Sequence, residues 1–185
     1  MLLQAVQGLI LGAPGERSYF ENLTHFKYYM NLLKTTVPLP FKNYHSFLGK
    51  ESVRRAIHVG DQKFSRTSRT VLNNLNSDIC KTVKPAVETL LNANIRVLVY
   101  APQLDIIVPH TGIDRFLRSL RWHGGRQYNE TPRQVWRVKD EIAGFVKVSR
   151  NLVHVVMRNA GHLACYDQPE WSFDMINRFT RGKSF

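Results

Sequence analysis

Asp105 and His162 are the two side chains best placed to do chemistry. Asp105 follows Val97-Leu-Val-Tyr-Ala-Pro-Gln-Leu and precedes Ile-Ile-Val108. His162 sits in Asn159-Ala-Gly-His162-Leu-Ala-Cys-Tyr-Asp-Gln-Pro169. Each comes five residues after an apolar run, Asp105 after Tyr100 and His162 after Met157. A histidine acts as a general base when an acid bonded to its other ring nitrogen fixes the tautomer. Such an acid and histidine make two thirds of a Ser–His–Asp hydrolytic site. From residue types alone, a loop acid or helix cap at Asp105 and a satisfied turn histidine at His162 stay open as alternatives.

The third member of such a site does not appear. No serine sits in a Gly-x-Ser-x-Gly elbow, the sharp turn that presents a nucleophile at a strand end. Gly15-Glu-Arg-Ser18-Tyr19 is one residue too long, and no apolar strand precedes it. Ser46, Ser52, Ser119, Ser149 and Ser172 lack the context altogether. Cys165 lies three residues past His162, and a lone thiol on a turn reads as inert rather than nucleophilic. His25, His45, His58 and His110 have no partner at metal-ligand spacing, and His154 lies within a strand. Neither H-E-x-x-H nor C-x-x-C occurs, so no zinc site is expected.

The elements that must carry the pair are legible as patterns. Ile95 to Tyr100 and Leu152 to Met157 are short, β-branched and nearly all apolar, as strands covered on both faces of a parallel sheet are. Parallel, neighbouring strands would bring Asp105 and His162 out at one sheet edge, where function gathers in open α/β sheets. Val83, Val87, Leu90 and Leu91 mark one face of a helix capped by Asp78 or Thr82. Ile113, Phe116, Leu117 and Leu120 mark another. Asp167-Gln-Pro-Glu170 reads as a capping box opening a last helix with Trp171, Met175, Ile176 and Phe179 inward. Residues 17–34 are expected to be helical, 51–58 a short helix, 60–70 a loop, and 121–150 turns or short strands. Gly161 fits a tight turn before the histidine. The alternation of helix and strand predicts an α/β layered domain.

Composition narrows the function classes. The 185 residues, 43% hydrophobic, suffice for one core or part of a larger one. No run of about 18 apolar residues is present, so no transmembrane helix is expected. Met1 to Gly12 reads as an amphipathic helix rather than a secretion signal, since it lacks a basic start. The formal charge of +12 raises nucleic-acid binding. The basic residues are scattered, however, and accompany no recognition motif, so a solvated basic surface is the reading. Cys80 and Cys165 allow one bridge at most. Asn22 and Asn129 open N-x-Thr sequons, which permit a secreted or lumenal home.

At its two site motifs the chain resembles the serine carboxypeptidases, and within them the vitellogenic-like branch. The resemblance rests on Ser18-Tyr-Phe-Glu-Asn-Leu-Thr24, Val53-Arg-Arg-Ala-Ile-His-Val-Gly60, Val97-Leu-Val-Tyr100 and Gln103-Leu-Asp-Ile-Ile-Val108. It continues through Trp122, Trp136, Ala143-Gly-Phe145, Gly161-His162, Tyr166-Asp-Gln-Pro169 and Asp174-Met-Ile-Asn-Arg-Phe179. It implies the C-terminal part of an α/β-hydrolase fold, with an incomplete sheet and part of the helical cap. Residues 1–70 would be cap and linker helices, and 71–185 the core part carrying acid and histidine. It further implies Asp105 as triad acid, His162 as triad base, and Leu163 as a lining residue for the leaving C-terminal amino acid.

The expected activity is release of C-terminal amino acids from peptides at acidic pH, in the secreted or lysosomal/vacuolar lumen, with no metal or cofactor. The implied partners are a peptide substrate and an N-terminal half bearing the serine, with no nucleic acid or membrane partner and homodimerisation left open. Met1 then reads as an internal methionine, and the chain as a C-terminal fragment inactive alone. A non-catalytic remnant of the family is the alternative. Pro102, Pro109 and Cys165 depart from the usual glycine, asparagine and proline of the family.

Overall fold

Asp105 and His162 owe their placement to two strands that pair directly. In the computed structural model, which describes residues 16–65, 68–78 and 81–185, Val97–Pro102 forms β1 and Leu152–Met157 forms β4. They run parallel, in register from Val97 opposite Leu152 to Pro102 opposite Met157. Gln134–Val138 (β2) and Glu141–Ser149 (β3) complete a four-stranded sheet of order β1-β4-β3-β2, with β3 antiparallel to both neighbours. β1 stands at one edge of this sheet.

The described residues fall into two compact units. The first runs up to Tyr28 and from Thr35 to Lys81; the second holds Tyr29–Lys34 and Thr82–Phe185. The first unit is helical. Its elements are α1 (Tyr19–Thr24), α2 (Leu39–Gly49), α3 (Glu51–Ala56) and α4 (Arg69–Leu75). The helix expected over 17–34 is only α1. It stops because His25 takes up a left-handed conformation, φ +60°, and its amide closes onto the Glu21 carbonyl. Ser18 is the N-cap of α1, its hydroxyl accepting the Glu21 amide at 3.1 Å. Met1 to Gly12 and Cys80 lie outside the described residues.

The second unit contains the sheet, α5 (Lys84–Asn92), α6 (His110–Arg118), α7 (Gly125–Glu130), α8 (Ala164–Asp167) and α9 (Pro169–Thr180). Period-two alternation divides its core between the two sheet faces. Val153, Val155 and Met157 pack with Trp136, Val146, and Trp171 and Met175 of α9. Leu152 packs with Leu91 of α5, Leu117 of α6 and Tyr128 of α7. β4 is therefore buried along its whole length, the arrangement its nearly all-apolar run predicts. His154 is buried with it. Burial pushes its imidazole down to about 4 and the Tyr128 phenol up to about 12. Nδ1 of the neutral ring and the Tyr128 hydroxyl are hydrogen-bonded at 2.9 Å.

Several expectations are corrected. Residues 121–150 hold the short strands expected there, β2 and β3, and also a helix, α7, that was not expected; the β2–β3 and β3–β4 connections use Lys139 and Arg150 at φ +53° and +50°. Hairpin turns are ordinarily signalled by glycine or asparagine there. Val83 precedes α5 and is exposed, and the first α5 amide bonds Thr82 Oγ1 at 3.3 Å. Ile176 is exposed. The N-cap of α9 is Gln168, without a side-chain bond; Asp167 is engaged elsewhere.

Candidate active site

The loops that leave β1 and β4 are tied together by main-chain bonds. The Gln103 amide donates to the Met157 carbonyl at 2.8 Å, and the Leu104 amide to the Ala160 carbonyl at 2.8 Å. Asp105 follows at once. Its Oδ1 accepts the amides of Ile107 at 2.8 Å and Val108 at 3.0 Å, an Asx-type turn that fixes the carboxylate before α6 begins. Its other oxygen, Oδ2, lies 3.0 Å from His162 Nδ1. The Asp105 side chain is 4% exposed and that of His162 35%. The acid is thus buried behind the ring, and the ring reaches solvent.

This arrangement assigns the protons. A carboxylate only accepts, so Nδ1 donates and Nε2 is left with its lone pair toward solvent. No described residue hydrogen-bonds Nε2. An imidazole so held can take a proton from a hydroxyl and return it to a leaving group, with the buried carboxylate stabilising the imidazolium between the two events.

The turn carrying His162 is itself clamped. Its amide donates to the Met30 carbonyl at 2.6 Å, and the Leu32 amide donates to the Leu104 carbonyl at 3.0 Å. The segment Tyr29–Lys34 thereby holds both loops of the site. Gly161 is required by this approach. A Cβ there would lie 2.2 Å from the Met30 carbonyl oxygen and 2.6 Å from Asn31 Cβ.

Asp167 lies on the same side. Its Oδ2 accepts the Gly161 amide at 2.8 Å and the Asn31 side-chain amide at 2.7 Å, and Lys34 pairs with Oδ1. Burial alone would push its pKa up. The Lys34 ammonium, the Gly161 amide and the Asn31 amide outweigh that and hold the carboxyl below its ordinary range. The sequence signal for this cluster was masked, since an aspartate before Gln-Pro-Glu also satisfies the capping pattern. Gly161 was the one usable clue, as a residue that lets another backbone come close.

The remaining candidates are dispersed. Leu163 is half-buried beside His162 and takes the N-cap position of α8. Asn22 is exposed on α1 and Asn129 on α7. Cys165 is a free, exposed thiol. Ser172 is buried against Met157, and Ser149 is buried without a described partner. Among the described residues, no cluster of three acids, histidines or cysteines is placed to hold a metal ion.

Residues 13–182 match the family model described as serine carboxypeptidase. The chain belongs to the serine carboxypeptidase family. This member is 38% identical over 169 residues to a venom serine carboxypeptidase of Apis mellifera, covering 91% of this chain and 36% of that one. It is 39% identical over 171 residues to the human protein named probable serine carboxypeptidase CPVL, at 91% and 36% coverage. It is 39% identical over 178 residues to the vitellogenic carboxypeptidase of Aedes aegypti, at 95% and 38% coverage. Against these relatives this carboxypeptidase-family chain spans little more than a third of the length. Its fold resembles that of a prohormone-processing carboxypeptidase from Saccharomyces cerevisiae, with a TM-score of 0.67 over 83% of this chain and 36% of that one, at 22% identity. The fold is therefore the C-terminal part of an α/β hydrolase with a partial sheet.

Proposed function

We propose that this chain supplies the acid and the base of a serine-type carboxypeptidase, and that the nucleophile comes from polypeptide completing the sheet beyond β1. The observation carrying this reading is the 3.0 Å bond between a buried Asp105 carboxylate and the Nδ1 of a His162 whose Nε2 meets no described residue. In the completed enzyme, His162 Nε2 takes the serine proton as its oxygen attacks the last peptide carbonyl. The tetrahedral oxyanion is held by backbone amides of the missing half. The imidazolium then protonates the leaving amine, and the C-terminal amino acid departs. Water deacylates the serine by the same proton path. Leu163, beside the base, lines the pocket for the departing residue. Residues 1–70 serve as cap and linker.

No step in this path requires a metal or a cofactor. Exposure of Asn22 and Asn129 supports glycosylation in a secreted or lysosomal/vacuolar lumen. Among the described residues no helix is long and apolar enough to cross a membrane.

A second reading, a non-catalytic remnant, is favoured by one observation: no serine of this chain stands in an elbow context. The two readings separate in one experiment. The chain alone and the chain joined to the serine-bearing half are treated with a serine-directed phosphonate and assayed on blocked dipeptides. The first reading expects label and turnover only in the joined protein. Label on the chain alone refutes the missing-nucleophile argument, and an inert joined protein refutes the enzyme.

A further inference from the structure

The ring of His162 can be no better placed than the main chain that carries it. Among the described residues, the main chain of the turn 160–162 is held by bonds from the Leu104 amide to the Ala160 carbonyl and from the His162 amide to the Met30 carbonyl. A side chain holds it as well: the Gly161 amide bonds Asp167 Oδ2 at 2.8 Å. The same oxygen accepts Asn31 Nδ2 at 2.7 Å, and Lys34 pairs with the other. Asn31 Oδ1 in turn accepts the Leu33 amide at 3.0 Å. The Asp167 amide donates to the Leu163 carbonyl at 3.0 Å, which closes residues 163–167 onto themselves behind the histidine.

We propose that Asp167, backed by Lys34 and Asn31, is a positioning residue for His162, locking the amide that precedes the base onto the Tyr29–Lys34 segment. The Asp167–Lys34 pair is a weak device for stability alone: the Asp167 side chain is 3% exposed and bears a desolvation cost, while Lys34, 38% exposed, keeps its ammonium partly in water, where the attraction is screened. Its directional value is different. A carboxylate offers acceptor sites in the plane of both oxygens and here meets donors from both sides, the turn and the segment. An amide in its place would keep one acceptor oxygen: turned toward Gly161 and Asn31 it sets its NH2 against the Lys34 ammonium, and turned the other way it sets its NH2 against the Gly161 and Asn31 donors. The Gly161 bond would then compete with a donor–donor clash.

The catalytic consequence rests on the proposed function; the structural one does not, so the test reads both. In the 185-residue protein, hydrogen exchange of the Gly161 amide and the His162 ring-proton resonances are followed by NMR in wild type, Asp167→Asn, Lys34→Met and Lys34→Arg. Loss of a charge-assisted bond should speed Gly161 exchange on the order of 10–100-fold in Asp167→Asn. The His162 Nδ1 proton should shift, while the β4 amides Leu152 to Met157 stay protected. Lys34→Met, which keeps the carboxylate, should move the same signals by less, and Lys34→Arg should restore them.

Unchanged Gly161 exchange and an unchanged imidazole spectrum in Asp167→Asn would overturn the proposal. Should that variant fail to fold, the same null result in Lys34→Met would do so. In the joined enzyme, Asp167→Asn should lower kcat on the order of tenfold or more with little change in KM. A rise in KM alone would refute the catalytic half. Complete inactivity of the wild-type joined enzyme would instead count against the proposed function, with the ring spectra still deciding this inference.

Discussion

His154 makes the stability of the second unit depend on pH in a calculable way. Its ring is buried in β4, and burial pushes its pKa down from an ordinary 6.5 to about 4. Asp114 pulls the other way, while Arg133, Lys147 and His110 add to the depression. A group whose folded-state value lies below its unfolded value takes up protons on unfolding throughout the interval between them. Stability is therefore complete above about 6.5 and falls as pH drops toward 4. The gap of about 2.5 units, at about 1.4 kcal/mol per unit, amounts to about 3 kcal/mol across that window.

The assay is urea unfolding from pH 7.5 to 4.5, followed by tryptophan fluorescence. All three tryptophans, Trp122, Trp136 and Trp171, lie in the second unit and are buried there, so the signal reports that unit alone. His154→Leu should lower stability at pH 7 by about 1–3 kcal/mol, since the buried Tyr128 hydroxyl loses its hydrogen-bond partner. It should also flatten the pH slope. An equal slope in wild type and variant, or an NMR titration of His154 near 6.5, would refute the reasoning.

Other outcomes are equally definite. In the joined enzyme, His162→Ala should cost on the order of 10⁴–10⁶-fold in kcat, and Asp105→Asn on the order of 10⁴-fold through loss of tautomer control; near-full activity in either variant, measured on a blocked dipeptide, rejects the assignment. Gly161→Ala forces a methyl group against the Met30 carbonyl oxygen, 2.2 Å away. It should destabilise the second unit by about 1–3 kcal/mol in urea. Ser18→Ala removes the α1 cap and should cost about 1 kcal/mol of first-unit stability, visible as faster hydrogen exchange of the Glu21 amide.

The parts of this architecture that sequence revealed are those fixed by local pattern. β1 and β4 are short apolar runs with nothing to compete with a strand; β4 is buried along its length as such a run predicts, while β1, at the sheet edge, is only partly buried. Asp105 and His162 were visible because each is a catalysis-capable side chain five residues beyond such a run. What stayed hidden depended on tertiary partners. The aromatics of residues 17–34 have helical spacing, yet the backbone turns at His25, and Tyr29–Lys34 instead supplies a carbonyl and two side chains to the site. Asp167 satisfies a capping rule on paper. A lysine and an asparagine more than 130 positions away in the chain win its carboxylate instead. The hairpins were obscured because Lys139 and Arg150 adopt a conformation that neither residue advertises.

The two main-chain bonds from Gln103 and Leu104 to Met157 and Ala160 carry one more consequence. They yoke the acid-bearing and base-bearing loops without using either functional side chain. Thermal motion should therefore displace both loops as one rigid piece and preserve their mutual spacing even when the chemistry is deleted. A variant with glycine in place of His162 would keep an intact berth beside Asp105. Free imidazole diffusing into that berth would meet the same carboxylate, in the same orientation, as the ring it replaces.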